Sequence, residues 1–278
     1  LQVEHAGTIR PQALFGISGQ TTVSRAWTDV SSRALDLRGL RHVFTPQVRW
    51  DNVVGPGHRS HDFVQFDEVS AASNENTVTL SARNRLQTRR AVRHSDDSWS
   101  ARTVDWIDLL VEVPLFPNSG RDNAGQRFGD IELLTGVSPA SNLGVSGSVF
   151  LDSRSMEWKR SWASAAYSIG ETRWTAYYRG VRGLHSIVGA SVAANLSETY
   201  SIDIRQEYDL RLGRFRDTYM RVSRNLVESF FVNVTARRDA ITRDFSISLS
   251  LSAKFGPPDL GRAFGEYPEV GKKRPAWL

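Results

Sequence analysis

Cysteine is absent from the 278 residues. That removes disulfide frameworks, cysteine zinc sites and thiol nucleophiles together. No stretch approaches the ~18 consecutive apolar residues of a transmembrane helix. The membrane itself is not excluded, because a barrel strand turns only every second residue toward lipid. Mean hydropathy is −0.36, low for a large apolar core and in keeping with a barrel enclosing a wet lumen. The six histidines, at 5, 42, 58, 61, 94 and 185, form no H-E-x-x-H and no tight ligand pair. His58, His61 and Asp62 read as plain loop polarity before they read as a metal site. The G-V-S-G of Gly144–Gly147 lacks the Lys-Ser/Thr that completes a phosphate-cradling loop. No segment nominates a Ser-His-acid arrangement. No catalytic residue, metal ligand or cofactor site is therefore expected. The 35 Lys+Arg outweigh 30 Asp+Glu, with arginine dominant, yet no basic patch interleaves with aromatics, so nucleic acid is not an expected partner. The sequence opens at Leu1 with neither Met nor a signal-like segment, which suggests a removed leader or the later part of a longer chain.

What is present is alternation. The clearest case is Phe245 to Phe255, where Phe245, Ile247, Leu249, Leu251 and Phe255 alternate with serines and one lysine. Successive strand side chains point to opposite faces, so one face is apolar and the other polar. Its length matches the ~9–11 residues of a tilted transmembrane strand. The same split recurs along the chain. Val78, Leu80, Ala82 and Leu86 oppose Thr79, Ser81, Arg83, Arg85 and Gln87; Ile202, Ile204 and Tyr208 oppose Asp203, Arg205, Glu207 and Asp209. Met220 and Val222 oppose Arg221 and Ser223. A hairpin is expected around Gly170-Glu171. Pro46, inside an otherwise strand-like run, removes a ladder bond and predicts a bulge or a locally unpaired edge. Two long polar loops are expected, Asn52–Asn74 and Asn118–Phe128, and elsewhere the turns are short. In all, the pattern gives about thirteen strands and no amphipathic helix.

Aromatics recur near strand ends: Trp27, Trp50, Trp99, Trp158, Trp162, Trp174, Tyr178, Tyr208 and Phe255. Girdles of aromatic residues mark the two interfaces of a membrane barrel. The fold class expected is all-β, an antiparallel transmembrane barrel of outer-membrane type, its strands belonging to a larger barrel. It occupies residues 1–255; the Pro/Gly/basic tail 256–278 reads as disordered. Arg83, Arg85, Asp203, Arg205, Glu207 and Arg221 are the expected lumen contacts. They either pair among themselves or offer charge-assisted donors to phosphate.

L-R-H-V-F-T-P-Q-V-R-W (Leu40–Trp50), the F-D-E of Phe66–Glu68 and N-T-V-T-L-S-A-R-N-R-L-Q-T-R (Asn76–Arg89) resemble the LPS-assembly protein LptD family, the organic solvent tolerance proteins. S-P-A-S-N-L-G-V-S-G-S-V-F-L-D (Ser138–Asp152) and the closing strands resemble that family's C-terminal barrel half. The resemblance implies a transporter and not an enzyme. Its implied task is inserting lipopolysaccharide into the outer leaflet, with an LptE-like plug lipoprotein in the lumen and periplasmic LPS-bridge proteins as partners. The strand Phe245–Phe255 would then border the lateral exit. The family's cysteine pairing has no counterpart here. The alternatives kept open are another outer-membrane barrel, porin or autotransporter translocator, and a soluble β-sandwich binding module.

Overall fold

A computed structural model describes residues 13–33, 35–54, 75–93, 99–226, 230–240 and 242–253. They form a single antiparallel sheet. Strands β1 (Ala13–Gln20), β2 (Val23–Ser32), β3 (Leu37–Val54), β4 (Glu75–Arg93) and β5 (Trp99–Leu115) are followed by one helical turn, α1 (Ser119–Asp122). Then come β6 (Ile131–Ala140), β7 (Leu143–Leu151), β8 (Trp158–Ile169), β9 (Thr172–Val181) and β10 (His185–Asn195). The chain closes with β11 (Tyr200–Asp209), β12 (Arg214–Leu226), β13 (Phe230–Asp239) and β14 (Phe245–Ala253). From β3 onward each strand pairs with the next in sequence, and β1 and β2 both pair with β3.

Those first two strands are one. Ala13 faces Val54 and Gln20 faces Gln47; Val23 faces Phe44 and Trp27 faces Leu40. The register runs straight through Thr21 and Thr22. Thr21 N donates to Pro46 O at 3.2 Å, but Pro46 has no N–H to return. The break sits where proline deletes a rung. Fourteen named strands, less this one division, leave thirteen in space.

The expectation of an all-β antiparallel fold is met, including the Gly170-Glu171 turn, where Gly170 has φ 55°. One detail differs. Asn118–Phe128 is not plain loop but holds α1. Lys254, Phe255, the tail 256–278 and the loop with His58, His61 and Phe66–Glu68 lie outside the described residues.

Candidate functional site: a charged inner face

Directly opposed residues share a face, so the ladder can be followed from edge to edge. One face runs through Gln20, Gln47, Ser81, Glu112, Glu132, Phe150 and Arg160. It continues through Val181, Arg179, Tyr177, Gly189, Glu207, Asp217 and Asp239, and ends on the serines of β14. The other face carries Val48, Leu80, Val113, Leu133, Val149, Ala165, Trp174, Val192, Ile204, Met220, Val234 and Leu249. The two faces stay unmixed over thirteen strands.

Burial is inverted with respect to an ordinary sandwich. Among the described residues three apolar and seven polar residues are buried, and seven of these ten sit on the polar face: Val43, Thr77, Ser148, Ile187, Glu207, Asp209 and Asp217. Glu207 is 6% exposed, whereas Ile204 on the other face of the same strand is 41% exposed, and Leu249 reaches 75%. The sheet curls around its charges and turns its aliphatics outward. A water-soluble sheet does the opposite with its apolar face.

The expected lumen residues all lie on the inner face, and most are paired. Arg83 Nε donates to Asp108 at 2.8 Å; Arg205 and Asp217 stand 3.5 Å apart, and Arg221 and Asp203 3.1 Å apart. Glu207 accepts from the Arg179 guanidinium at 2.9 Å and from the Tyr177 hydroxyl at 2.7 Å. Asp217 also accepts from Arg237 Nε at 3.0 Å. Arg85 faces Asp108 across the ladder, with a buried Nε that has no hydrogen-bond acceptor. Arg83, Arg85, Asp203, Arg205, Glu207 and Arg221 thus share one face. Asp108, Tyr177, Arg179, Asp217 and Arg237 lie there too and supply most of their partners, although none was among the expected lumen contacts.

One segment folds back over this face. Phe116 N donates to Arg127 O and Gly129 N to Pro114 O, both at 2.8 Å, extending the β5 rung beyond the strand. Gly129 is needed there, because a Cβ would come within 2.7 Å of Pro114 Cγ. The Asp122 carboxylate accepts the Asn76 N–H at 3.2 Å and ties α1 to the start of β4. Beneath lies a cavity of about 410 Å³ bordered by Arg49, Glu112, Glu132, Phe150, Lys159 and Arg160. Arg160 stacks on Phe150 at 3.6 Å, and Lys159 is held by Asp130 at 2.5 Å and Asp152 at 3.0 Å. Among the described residues no group of three or more His, Asp or Glu is placed to hold a metal ion.

The outer face carries two aromatic tiers. Phe15, Trp50, Trp158, Tyr178, Tyr208, Phe215 and Phe245 lie toward the end with the long connections; Trp27, Tyr167, Trp174, Tyr200 and Phe230 lie toward the other. On β8, Trp158 and Tyr167 are nine positions apart. That is ~30 Å along a strand and ~23 Å of height at a tilt of ~40°, against a barrel's apolar band of ~25 Å. Trp162 departs from expectation: it sits opposite Ser148 and Arg179, on the inner face. Side chains at Trp99 and Phe255 lie outside the described residues.

No family model and no curated protein matches the chain. Among solved structures, a multiple mutant of Rh. blastica porin aligns over 87% of this chain and 99% of its own, with 8% identity and a TM-score of 0.40. A triple mutant of the Rhodopseudomonas blastica porin aligns over the same shares at 9% identity and a TM-score of 0.40.

Proposed function

We propose that this chain is a wall of an outer-membrane β-barrel whose charged inner face lines a passage for polar material, with no catalytic role. The supporting observation is the inverted burial: buried carboxylates inside, exposed aliphatics and two aromatic tiers outside. A spanning sheet must satisfy its backbone internally and show apolar side chains to lipid; this sheet pairs its backbone everywhere but along its two edge strands and turns its apolar side chains outward. Long connections after β3 and β5 against two-residue turns such as Gly170-Glu171 orient it, since outer-membrane barrels carry short periplasmic turns and longer outer loops. The inner-face arginines are largely neutralised by carboxylates of the same wall. That favours a general polar lining of porin type over a track of free cations for phosphates.

The test is folding into phospholipid vesicles followed by gel migration with and without boiling. A faster unboiled band and protease protection support the barrel; a chain that stays monomeric and soluble without detergent overturns it. Ion conductance in planar bilayers then reads the passage.

Insertion of lipopolysaccharide, with an LptE-like plug and periplasmic bridge partners, is the narrower reading, carried by the Leu40–Trp50 and Asn76–Arg89 motifs. One structural feature favours it: the inner faces of the two edge strands hold uncharged residues, Leu14, Gly16, Ser18 and Gln20 on β1 and Ser246, Ser248, Ser250 and Ser252 on β14, with no ion pair between these residues to hold a seam shut. Depletion that leaves surface lipopolysaccharide unchanged would exclude it.

A further inference from the structure

Charge is divided between the two faces by sign. Every Asp and Glu with a partner across the ladder lies on the inner face. An arginine on the outer face therefore has no carboxylate directly opposite it. Arg25 faces His42, and Arg224 stands between Tyr200 and Val232. Both are exposed, and both meet an aromatic of the tier away from the long connections. Arg25 Cζ is 5.2 Å from the Trp27 ring centroid, and Arg224 Cζ is 5.6 Å from that of Tyr200. These pairs sit far apart in the sheet, on β2 and β12. What they share is their height in the wall.

Arg25 has the richer surroundings. His42 lies directly opposite it, which brings their Cβ atoms to ~5 Å. His42 Nε2 is 3.3 Å from Asn84 Oδ1, an atom that only accepts. Nε2 therefore carries the proton, and Nδ1 remains for another partner. Around this pair the nearest positions of the outer face hold Val23, Trp27, Leu40, Phe44 and Leu86. None is acidic.

Arg25 precedes Trp27 by two residues on β2, ~5 Å along the wall at a tilt of ~40°. The arginine stem covers that distance and returns its head to the aromatic tier. A guanidinium turned toward lipid beside an imidazole is costly unless an anion joins them. At the height of an aromatic tier the bilayer itself supplies one, the phosphate of its headgroups.

We propose that Arg25, His42 and Trp27 form an outer-face site for the phosphate of a phospholipid headgroup. The proposal rests on the barrel reading above, since only a bilayer brings that group to this height. The Arg25 guanidinium donates its fork of N–H groups to two phosphate oxygens. The imidazole adds Nδ1–H in its protonated form, which the phosphate charge favours. Trp27 attracts the guanidinium to its ring face, and Asn84 orients the imidazole.

The test uses the full chain folded into micelles of an uncharged maltoside detergent and titrated with phosphatidylglycerol. Native mass spectrometry counts the lipid retained. Arg25→Gln is expected to weaken that binding roughly tenfold, the worth of a charge-assisted hydrogen bond, while keeping the heat-modifiable band. His42→Gln, which retains an amide for Asn84, should weaken it by a smaller factor, and it decides the matter if Arg25→Gln loses the band. Diacylglycerol, with the same tails and no phosphate, should bind parent and variants alike. Equal phosphatidylglycerol binding by parent and variants, all showing the band, overturns the site and leaves the barrel standing. Displacement of the lipid by inorganic phosphate at equal concentration overturns the lipid assignment. Absence of the band in the parent overturns the barrel reading, and the site with it.

Discussion

The Tyr177 hydroxyl donates to Glu207 Oε1 at 2.7 Å by reaching across a strand that lies between them. It can do so because β10 presents Gly189 there, directly opposite both residues. A Cβ at Gly189 would stand 2.2 Å from Tyr177 Cζ. The ring lies flat over the glycine and covers backbone that a side chain would otherwise cover. Three strands are thereby joined by one aromatic. Gly189→Val should displace the ring, break the bond to Glu207 and cost about 1–3 kcal/mol, read as a fall in urea midpoint of the folded protein in vesicles. In a Tyr177→Ala background the same substitution should cost much less, because the pair is coupled. Gly144→Ala, on the same inner face with nothing within 4 Å of its Cβ, should be close to neutral.

The two faces of β14 make a direct comparison. Leu249 is 75% exposed on the outer face, and Ser248 lies on the inner face opposite Thr235. Leu249→Arg should cost about 2–4 kcal/mol if it stands near the bilayer midplane. Ser248→Arg, which meets the aqueous side, should change stability by less than about 0.5 kcal/mol. Equal effects in vesicle-folded protein would mean that the faces do not see different solvents.

Acid should loosen the β7–β8 turn first. The Asp152 carboxylate accepts the N–H groups of Ser155 and Arg154, at 3.0 and 2.9 Å, and pairs with Lys159. The Ser155 N–H, then the Lys159 ammonium and the Arg154 N–H, hold its pKa far below the usual carboxylate range. Glu157 is lowered chiefly by its hydrogen bond from Arg182, at 2.7 Å. Both pKa values are depressed on folding, so the stabilisation is fully present above the unfolded carboxylate value of ~4 and is lost as pH falls through the folded values. Amide exchange across 152–157 should therefore accelerate below pH ~4. Asp152→Asn should flatten that pH dependence; an unchanged profile would detach the carboxylate from the turn.

Much of this was written in strand parity. Ser246, Ser248, Ser250 and Ser252 against Ile247, Leu249 and Leu251 needed no structure to be assigned to two faces. Pro46 also announced its missing rung, although the consequence, one strand divided into β1 and β2, required the register of its neighbour. Which charges meet was not legible. Arg205 finds Asp217, and Arg221 finds Asp203, only through pairing of β11 with β12, and a bulge between Glu207 and Tyr208 shifts that pairing by a residue. Type and position near a strand end group Trp162 with the interface aromatics, while its register opposite Ser148 and Arg179 puts it inside. The fold-back of Asn118–Phe128 left no periodic signal, since it is held by backbone bonds and by Asp122.

That bulge accounts for a polar residue on the outer, apolar face. Gln206 lies on the outer face between Ala190 and Thr218, where a leucine would suit the solvent better. Its Nε2 donates to Asp217 O at 3.1 Å and its Oε1 accepts the Thr218 hydroxyl at 3.0 Å. Asp217 is the last residue before the register slips, so the amide supplies a donor where the ladder is disturbed. In lipid no water replaces it, and an unsatisfied carbonyl is costly. Gln206→Leu should therefore destabilise by about 1–3 kcal/mol despite its greater apolarity, measured by urea unfolding from vesicles. Thr218→Val should cost less, because it removes one partner and leaves the carbonyl bonded. If Gln206→Leu raises the unfolding midpoint, the amide is not what holds the bulge.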